Sequence, residues 1–340
     1  DAWNVPFWVN VLIFIALIII YTLKGGIRTI IWTDTLQTTF MLLAVILSVV
    51  YISRELGAPI FSLLGDVFDS DMSRVVITDW DHPRHFVKQF FSGMFITITM
   101  TGLDQEMMQK NLSIRRLKDA QKNMFTFSTI NVFVVFLFLV LGSFLVLYAS
   151  AEGVKVAMTD DLFPTIAFKY LGPAAGVVFL VGLISAAFPS ADGALTSLTT
   201  SFSIDFLGLE KNTKMDDGKK TKIRYTVHFG FALIFFLCIL LFRQMNDRAI
   251  IDKLFTIAGY TYGPLLGLYT FGLFTNRSVN DRITPWVAIV SPVICYFLSM
   301  FSEELFNGYR FGFEMLLVNG FLTFMGLLLF SHRQVSKPAA

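Results

Sequence analysis

The chain has 340 residues, of which 55% are hydrophobic and 15% are charged, and its mean hydropathy is +0.65. Soluble domains average roughly 45–50% apolar and about 25% charged residues, so this composition excludes a soluble enzyme and a disordered chain. The net charge of +2 excludes a nucleic-acid binder that relies on charge. Both cysteines, Cys238 and Cys295, lie within apolar runs, and no disulfide framework is predicted.

Nine apolar stretches are long enough to cross a hydrocarbon core about 30 Å thick, which takes about 20 helical residues. They are 6–23, 30–53, 86–103, 123–149, 173–206, 223–243, 250–274, 283–301 and 311–331. The runs are continuous rather than alternating, and backbone groups in lipid must be satisfied internally, so we predict helices. The sequence therefore predicts an all-α, polytopic membrane helix bundle.

The lysine and arginine residues predict the orientation of the bundle. Most of the 27 basic residues fall in one set of alternating connections: 24–29, 104–122, 207–224, 275–282 and 332–340. Cytoplasmic loops of membrane proteins are enriched in these residues. We therefore expect an integral protein of the inner or plasma membrane whose chain begins outside and whose C-terminus is cytoplasmic.

Asp34 places a carboxylate four residues into the second stretch, where threonines and Gln37 surround it. A charge inside a membrane span costs roughly 3 kcal/mol on insertion scales unless it is paired. Two interpretations remain open. Asp34 is either an interfacial residue satisfied by water or Arg28, or a ligand of a hard cation, since such cations prefer oxygen.

The stretch 173–206 contains a second intramembrane carboxylate, Asp192, between two helix-weakening residues. Pro189 removes a backbone donor and Gly193 weakens the next turn, so we expect the helix to break there. Carbonyl groups freed by such a break, next to Ser190, are ligands that discontinuous transporter helices offer to cations. The small residues could instead form a packing face, but packing gives no reason for Asp192.

Two further stretches carry weaker signals. Several serines and threonines in 86–103 are typical of a cavity-lining helix, and Gly259, Gly263 and Gly267 repeat at four-residue spacing beside Pro264. The glycines predict either a close-packed ridge or a hinge. The sequence contains no phosphate-binding loop, nucleophile elbow or zinc motif, so we expect neither an enzyme nor an organic cofactor.

Three motifs occur in a consistent order and spacing along the chain. They are Gly25–Thr38 with its Trp-Thr-Asp-Thr-Leu-Gln core, Gly102–Lys110 followed by a basic helix at Leu112–Lys122, and Pro189–Ser197 continuing through Ile204 and Asp205. Together they resemble the sodium/solute symporter family, which includes sodium-coupled sugar, proline, pantothenate, iodide and sialic-acid carriers. The resemblance covers nearly the whole chain.

The resemblance implies an inverted-repeat, leucine-transporter-like fold. On this mapping, residues 1–53 hold the last two helices of the first repeat and 86–274 form the second five-helix repeat. Residues 283–331 would form two peripheral helices, and 332–340 a cytoplasmic tail. The first core helices would then precede Asp1, so we expect this chain to be N-terminally truncated.

The resemblance also implies a sodium site made by the carbonyl of Ala186 and the side chains at positions 189 and 190. Many members have two hydroxyl residues there, whereas this chain has Pro189 and Ser190. A second site in some members would join Asp34 to a position that Asp192 occupies here. One rearranged site, two sites, and coupling to a proton through a raised carboxylate pKa all remain open.

The resemblance further implies a substrate path that includes Thr97, Met100 and Thr256, with Met100 at the position of an aromatic gate in sugar carriers. The expected function is sodium-coupled symport of a small polar organic solute by alternating access. Such a solute would be a sugar, sugar acid, amino acid or carboxylate, with Na⁺ as the coupling ion and no nucleic-acid partner. The alternatives are a proton-coupled symporter, a transporter-like membrane sensor, a membrane-embedded enzyme and a channel.

Overall fold

The computed structural model describes residues 5–80, 82, 84–211, 215–245 and 250–333. The helices in chain order are α1 (Phe7–Glu55), α2 (Ile60–Phe68), α3 (Phe86–Met100), α4 (Gln105–Leu112), α5 (Leu117–Glu152), α6 (Leu162–Lys169), α7 (Gly172–Ser201), α8 (Asp217–Met245), α9 (Ile250–Phe274), α10 (Thr284–Met300), α11 (Ser302–Leu305) and α12 (Met315–Leu329). Short 3₁₀ turns occur at Asp71–Ser73 and Thr159–Asp161, and a π-helical turn, Phe202–Phe206, follows α7.

All nine predicted membrane stretches coincide with helices, which confirms the all-α bundle. Four helical segments are long and apolar enough to cross a membrane: Trp32–Glu55, Leu117–Glu152, Gly172–Phe206 and Asp217–Gln244. Within the described residues the strands are limited to β1 (Arg277–Ser278) and β2 (His332–Arg333), which pair antiparallel. This two-residue ladder does not change the fold class.

Helix α1 differs from the sequence prediction, because it continues through residues 24–29, where we expected a connection between two spans. That segment contains two glycines but no proline. Glycine costs about 1 kcal/mol in a helix and leaves every backbone hydrogen bond available, so it weakens a helix without ending it. The backbone there is helical, while the side chain of Arg28 lies outside the described residues.

The chain divides into two compact units. Unit 1 comprises residues 1–72 and 109–247, and unit 2 comprises residues 73–108 and 248–340. The repeat boundaries predicted at 1–53, 86–274 and 283–331 concern internal symmetry and stay predictions. Of the predicted tail, residues 334–340 lie outside the described residues.

Unit 1 is built around contacts of α7 with both parts of α1. One buried cluster joins Val45, Val49 and Ile52 of α1 to Phe144 of α5 and to Ala175 of α7. A second cluster joins Leu195 of α7 and Ala232 of α8 to the first part of α1, through Val11, Ile15 and Ile18. Helix α7 is therefore the central element of this unit.

In unit 2, the glycine ridge of α9 packs closely against α12. A Cβ placed on Gly267 would lie 2.5 Å from that of Thr323, and a Cβ on Gly263 would overlap the side chain of Asn319. Asn319 is fully buried, and its amide donates to the carbonyls of Gly259 and Tyr260 at 3.1 and 2.9 Å. These contacts support the interpretation of the glycines as a close-packed ridge rather than a hinge. Helix α9 remains helical through Pro264.

Candidate functional site

Helix α7 carries the largest group of predicted cation ligands, and it is continuous from Gly172 to Ser201. The break expected at Pro189 and Gly193 is not observed. Pro189 still removes the donor that would bond the carbonyl of Ser185, but the surrounding packing of α7 keeps its backbone helical. The irregular geometry lies further along, in the π-helical turn Phe202–Phe206.

The predicted ligands on α7 fall on two different faces of the helix. Asp192 is fully buried, with 0% of its surface exposed, whereas Ala186 and Ser190 are exposed. At 100° per residue, Ser190 and Asp192 point about 160° apart around the helix axis. The structure therefore separates Ala186 and Ser190 from Asp192, whereas Pro189, three residues before Asp192, is half-buried and points only about 60° from it.

Asp34 forms an ion pair that the sequence analysis did not predict. The Nζ of Lys110, in α4, donates a 2.9 Å hydrogen bond to Asp34 Oδ2, and both side chains are less than one third exposed. The other oxygen, Oδ1, is buried and has no hydrogen-bond partner within the described part of the chain. The carboxylate is thus anchored through one oxygen while the second remains available to a ligand.

The contact between α1 and α7 gives the positions of the two intramembrane carboxylates along their own helices. A Cβ on Gly182 would lie 2.5 Å from that of Ala44, and the segment before Gly182 packs with the segment after Ala44, so the helices are antiparallel. Asp192 follows Gly182 by ten residues and Asp34 precedes Ala44 by ten. Each carboxylate is therefore about 15 Å from that contact along its own helix.

Two neutral oxygen groups accompany these carboxylates. Gln37 Oε1 is one turn beyond Asp34 on α1, and Thr196 Oγ1 is one turn beyond Asp192 on α7. Both atoms are buried, and neither has a hydrogen-bond partner among the residues that the structure describes. Buried polar atoms are normally satisfied, so oxygen atoms of this kind beside two carboxylates form a donor set that fits a hard cation.

A buried histidine links three helices of unit 1 and was missed by the sequence analysis. His228 of α8 is 5% exposed. Its Nε2 lies 3.1 Å from the hydroxyl of Thr22 in α1, and its Nδ1 lies 3.0 Å from the hydroxyl of Thr199 in α7. The three residues are far apart in sequence, and a lone histidine in an apolar run gave no signal of this arrangement.

The residues predicted for the substrate path lie in unit 2. Thr256 borders a cavity of about 420 Å³ together with Arg74, Arg84 and Gln89. Thr97 is exposed on α3 and donates to the carbonyl of Gly93 at 2.9 Å, as hydroxyl residues in membrane helices commonly do. Thr97 and Met100 do not border this cavity.

A sequence model of the sodium:solute symporter family matches residues 2–308. The chain belongs to this family. The assignment agrees with the three motifs and with the apolar helices, and it makes the protein an integral membrane protein of a transporter family rather than an enzyme.

Characterised relatives are similar over most of this chain. The sodium-dependent multivitamin transporter of Oryctolagus cuniculus is 24% identical over 78% of this chain and 43% of its own length. The sodium/sialic acid symporter NanT of Aliivibrio fischeri is 23% identical over 90% and 62%. The sodium/sialic acid symporter SiaT of Proteus mirabilis is 19% identical over 85% and 59%. The chain therefore spans less than two thirds of each of these relatives.

The fold also matches a solved structure. The substrate-bound, outward-open state of a Na⁺-coupled sialic acid symporter superimposes with a TM-score of 0.77. The two chains are 17% identical, and the match covers 96% of this chain and 66% of the other. This likeness shows the fold, and the expected transporter architecture is confirmed.

Proposed function

We propose that the protein is a sodium-coupled symporter that carries a small polar organic solute across the membrane by alternating access. The observation that carries the proposal is the full burial of Asp192 on α7, in a chain of the sodium:solute symporter family whose helix α1 packs on α7 and carries a second carboxylate, Asp34. A buried carboxylate is costly unless positive charge accompanies it. Na⁺ carries such a charge, and it is the ion that names the family.

The proposed sodium ligands form two sets. The first set is Asp34 and Asp192, supported by the buried oxygen atoms of Gln37 and Thr196. The second set is the carbonyl of Ala186 with Ser190, on the exposed face of α7 next to Pro189. Because the two faces of α7 point apart, we propose two positions for Na⁺ rather than one rearranged site.

Within the solute classes expected from the resemblance, we propose one that carries a carboxylate. Two of the relatives are sialic acid symporters by name. In this chain, two arginines border the cavity that also contains Thr256. Guanidinium groups bind carboxylates through paired hydrogen bonds, so this cavity supports an anionic solute over a neutral sugar.

The test is uptake into proteoliposomes that contain the protein at its full natural length. Radiolabelled sialic acid, a neutral hexose and a neutral amino acid are each offered with an inward Na⁺ gradient, and with a K⁺ gradient of equal size. The proposal predicts saturable uptake of an acidic solute that requires Na⁺. Uptake that is equal with K⁺ would contradict sodium coupling, and flux without saturation or gradient coupling would indicate a channel.

Proton coupling is the second candidate, and the observation that favours it is again the carboxylate at position 192 in place of a hydroxyl residue. The two candidates differ in their response to an imposed pH gradient. Uptake driven by an inward proton gradient in Na⁺-free medium, and lost in Asp192→Asn, would establish the proton as the coupling ion. Uptake that follows Na⁺ at a fixed pH supports the sodium proposal.

A further inference from the structure

A polar cavity of about 460 Å³ lies in unit 1, where the end of α7 meets the start of α8. None of the residues proposed as sodium ligands borders it. Its polar border consists of Thr200, Ser203, Glu210, Lys220, Thr221 and Arg224. Neither the motifs nor the family resemblance assigns a role to these residues.

Ser203 is the first indication that the cavity holds a ligand. It is 4% exposed, and its hydroxyl has no hydrogen-bond partner within the described ranges. Serines and threonines in helices usually satisfy themselves by donating to a carbonyl one turn earlier, and the neighbouring Thr199 and Thr200 do so at 2.7 and 2.8 Å. Ser203 lies in the π-helical turn, a feature that is frequent at functional sites.

The charged residues around the cavity indicate the chemical class of its ligand. Lys220 and Arg224 are one turn apart on α8, so their side chains are neighbours on the same face. Lys220 has a long 4.0 Å contact with Asp217, which is fully exposed and therefore neutralises it weakly. An ammonium, a guanidinium and several hydroxyl groups around one space are a donor set for an anion with several oxygen atoms.

We propose that this cavity binds a phosphate group, held by Lys220, Arg224 and the hydroxyls of Ser203 and Thr221. Glu210 borders the same cavity and opposes the anion, so it limits the affinity. Two sources carry the same chemistry: the headgroup of a phospholipid beside the membrane-crossing part of α8, or a soluble phosphate. The proposal is independent of solute transport and goes beyond it.

The experiment measures ligand-dependent thermal stability of the purified full-length protein in detergent. One arm titrates inorganic phosphate against chloride at matched ionic strength. The other arm titrates short-chain phosphatidylglycerol, with the corresponding phosphate-free diacylglycerol as its control. Stabilisation in the first arm indicates a soluble phosphate, and stabilisation in the second arm alone indicates a lipid headgroup. Stabilisation in neither arm overturns the proposal.

The variants separate a built site from general attraction of anions. Arg224→Gln and Lys220→Gln should each weaken the apparent affinity by about tenfold, the loss of roughly one charged hydrogen bond. Lys222→Gln is the matched control, because this lysine is exposed on the same helix and does not border the cavity. Equal weakening by Lys222→Gln would show non-specific attraction and contradict the proposal.

Two further variants test the site without removing a positive charge. Glu210→Gln removes the opposing carboxylate and should tighten phosphate binding, an outcome that a purely structural role of this residue does not produce. Ser203→Ala should weaken binding while leaving the unliganded unfolding temperature unchanged, because the hydroxyl has no partner in the described structure. Unchanged affinity in both variants would overturn the proposed ligand set.

Discussion

Lys110 and Asp34 are 76 positions apart in sequence and joined by a 2.9 Å hydrogen bond between Nζ and Oδ2. The pair connects two of the motifs that identify the family, Gly25–Thr38 and Gly102–Lys110. It also explains how an acidic residue is accommodated near the end of a membrane span. The ammonium group offsets the carboxylate and leaves Oδ1 without a hydrogen bond within the described residues.

Lys110→Gln should lower the free energy of unfolding by about 1–3 kcal/mol, because it leaves a largely buried carboxylate without its charged donor. The same change should increase the stabilisation by Na⁺, since the ion then does not compete with the ammonium for Asp34. Thermal unfolding with and without NaCl measures both effects. Lys118→Gln, at an exposed position of α5, is the control. A sodium response that falls in Lys110→Gln would contradict the proposed role of Asp34.

Gly263→Ala should destabilise unit 2 by roughly 1–3 kcal/mol, because the added methyl group overlaps the buried Asn319 and overpacks the interface. Asn319 cannot move aside without losing its bonds to two backbone carbonyls and to the hydroxyl of Ser291. Gly272→Ala on the same helix meets open space and serves as the control. Comparable melting temperatures for these two variants would show that the ridge does not pack as described.

His228→Ala should cost about 2–4 kcal/mol, since it removes a buried ring and both of its hydrogen bonds. Thr199→Val removes one of these bonds and should cost about 1 kcal/mol. If the two residues interact directly, the cost of the double variant is smaller than the sum of the two single costs. Thr226→Val, at an exposed position of α8, controls for loss of a hydroxyl. Strict additivity would contradict the observed contact.

The phenol of Tyr309 provides a pH test in a loop outside the membrane spans. It donates a 2.8 Å hydrogen bond to Glu314, and its ring lies 4.1 Å from the Nζ of Lys88. Burial, followed by the hydrogen bond and charge of Glu314, raises the pKa of Tyr309 above its ordinary value of 10.0.

The folded state therefore holds this proton more tightly than the unfolded state. The contribution of Tyr309 to stability is complete below pH 10 and is lost as the pH rises above it. Wild-type protein should lose stability more steeply than Tyr309→Phe between pH 9.5 and pH 11, although the variant starts from a lower value. Parallel pH profiles of the unfolding temperature would count against the raised pKa.

The membrane helices could be predicted because a helix that spans a bilayer needs about 20 consecutive, mostly apolar residues, and such runs are visible in the sequence. Asp34 and Asp192 could be selected as candidate ligands for the same reason, since a carboxylate within a membrane span is costly, and their role as sodium ligands stays a prediction. The side-chain contacts of the site could not be predicted, because they join residues that are far apart in sequence. Nothing near Lys110 indicates that it reaches Asp34, and nothing near His228 indicates Thr22 and Thr199.

Two expectations about helix ends were wrong because local propensity was given too much weight. Pro189 and Gly193 weaken α7, yet the helix continues through them because it packs at the centre of unit 1. Residues 24–29 are likewise helical in α1. By contrast, the sequence contains no residue or pattern at Phe202–Phe206 from which the π-helical turn could have been predicted.

The most direct test of the account compares thermal unfolding of the full-length protein in NaCl and in choline chloride at equal ionic strength. An ion at about 100 times its dissociation constant stabilises the folded state by about 2.7 kcal/mol. We predict a sodium-specific rise in the unfolding temperature of the wild type and of the exposed control Asp217→Asn. In Asp34→Asn and Asp192→Asn this rise should be lost or strongly reduced. A rise of the same size in all four proteins would contradict the proposed position of the ion, and no rise in the wild type would contradict sodium binding itself.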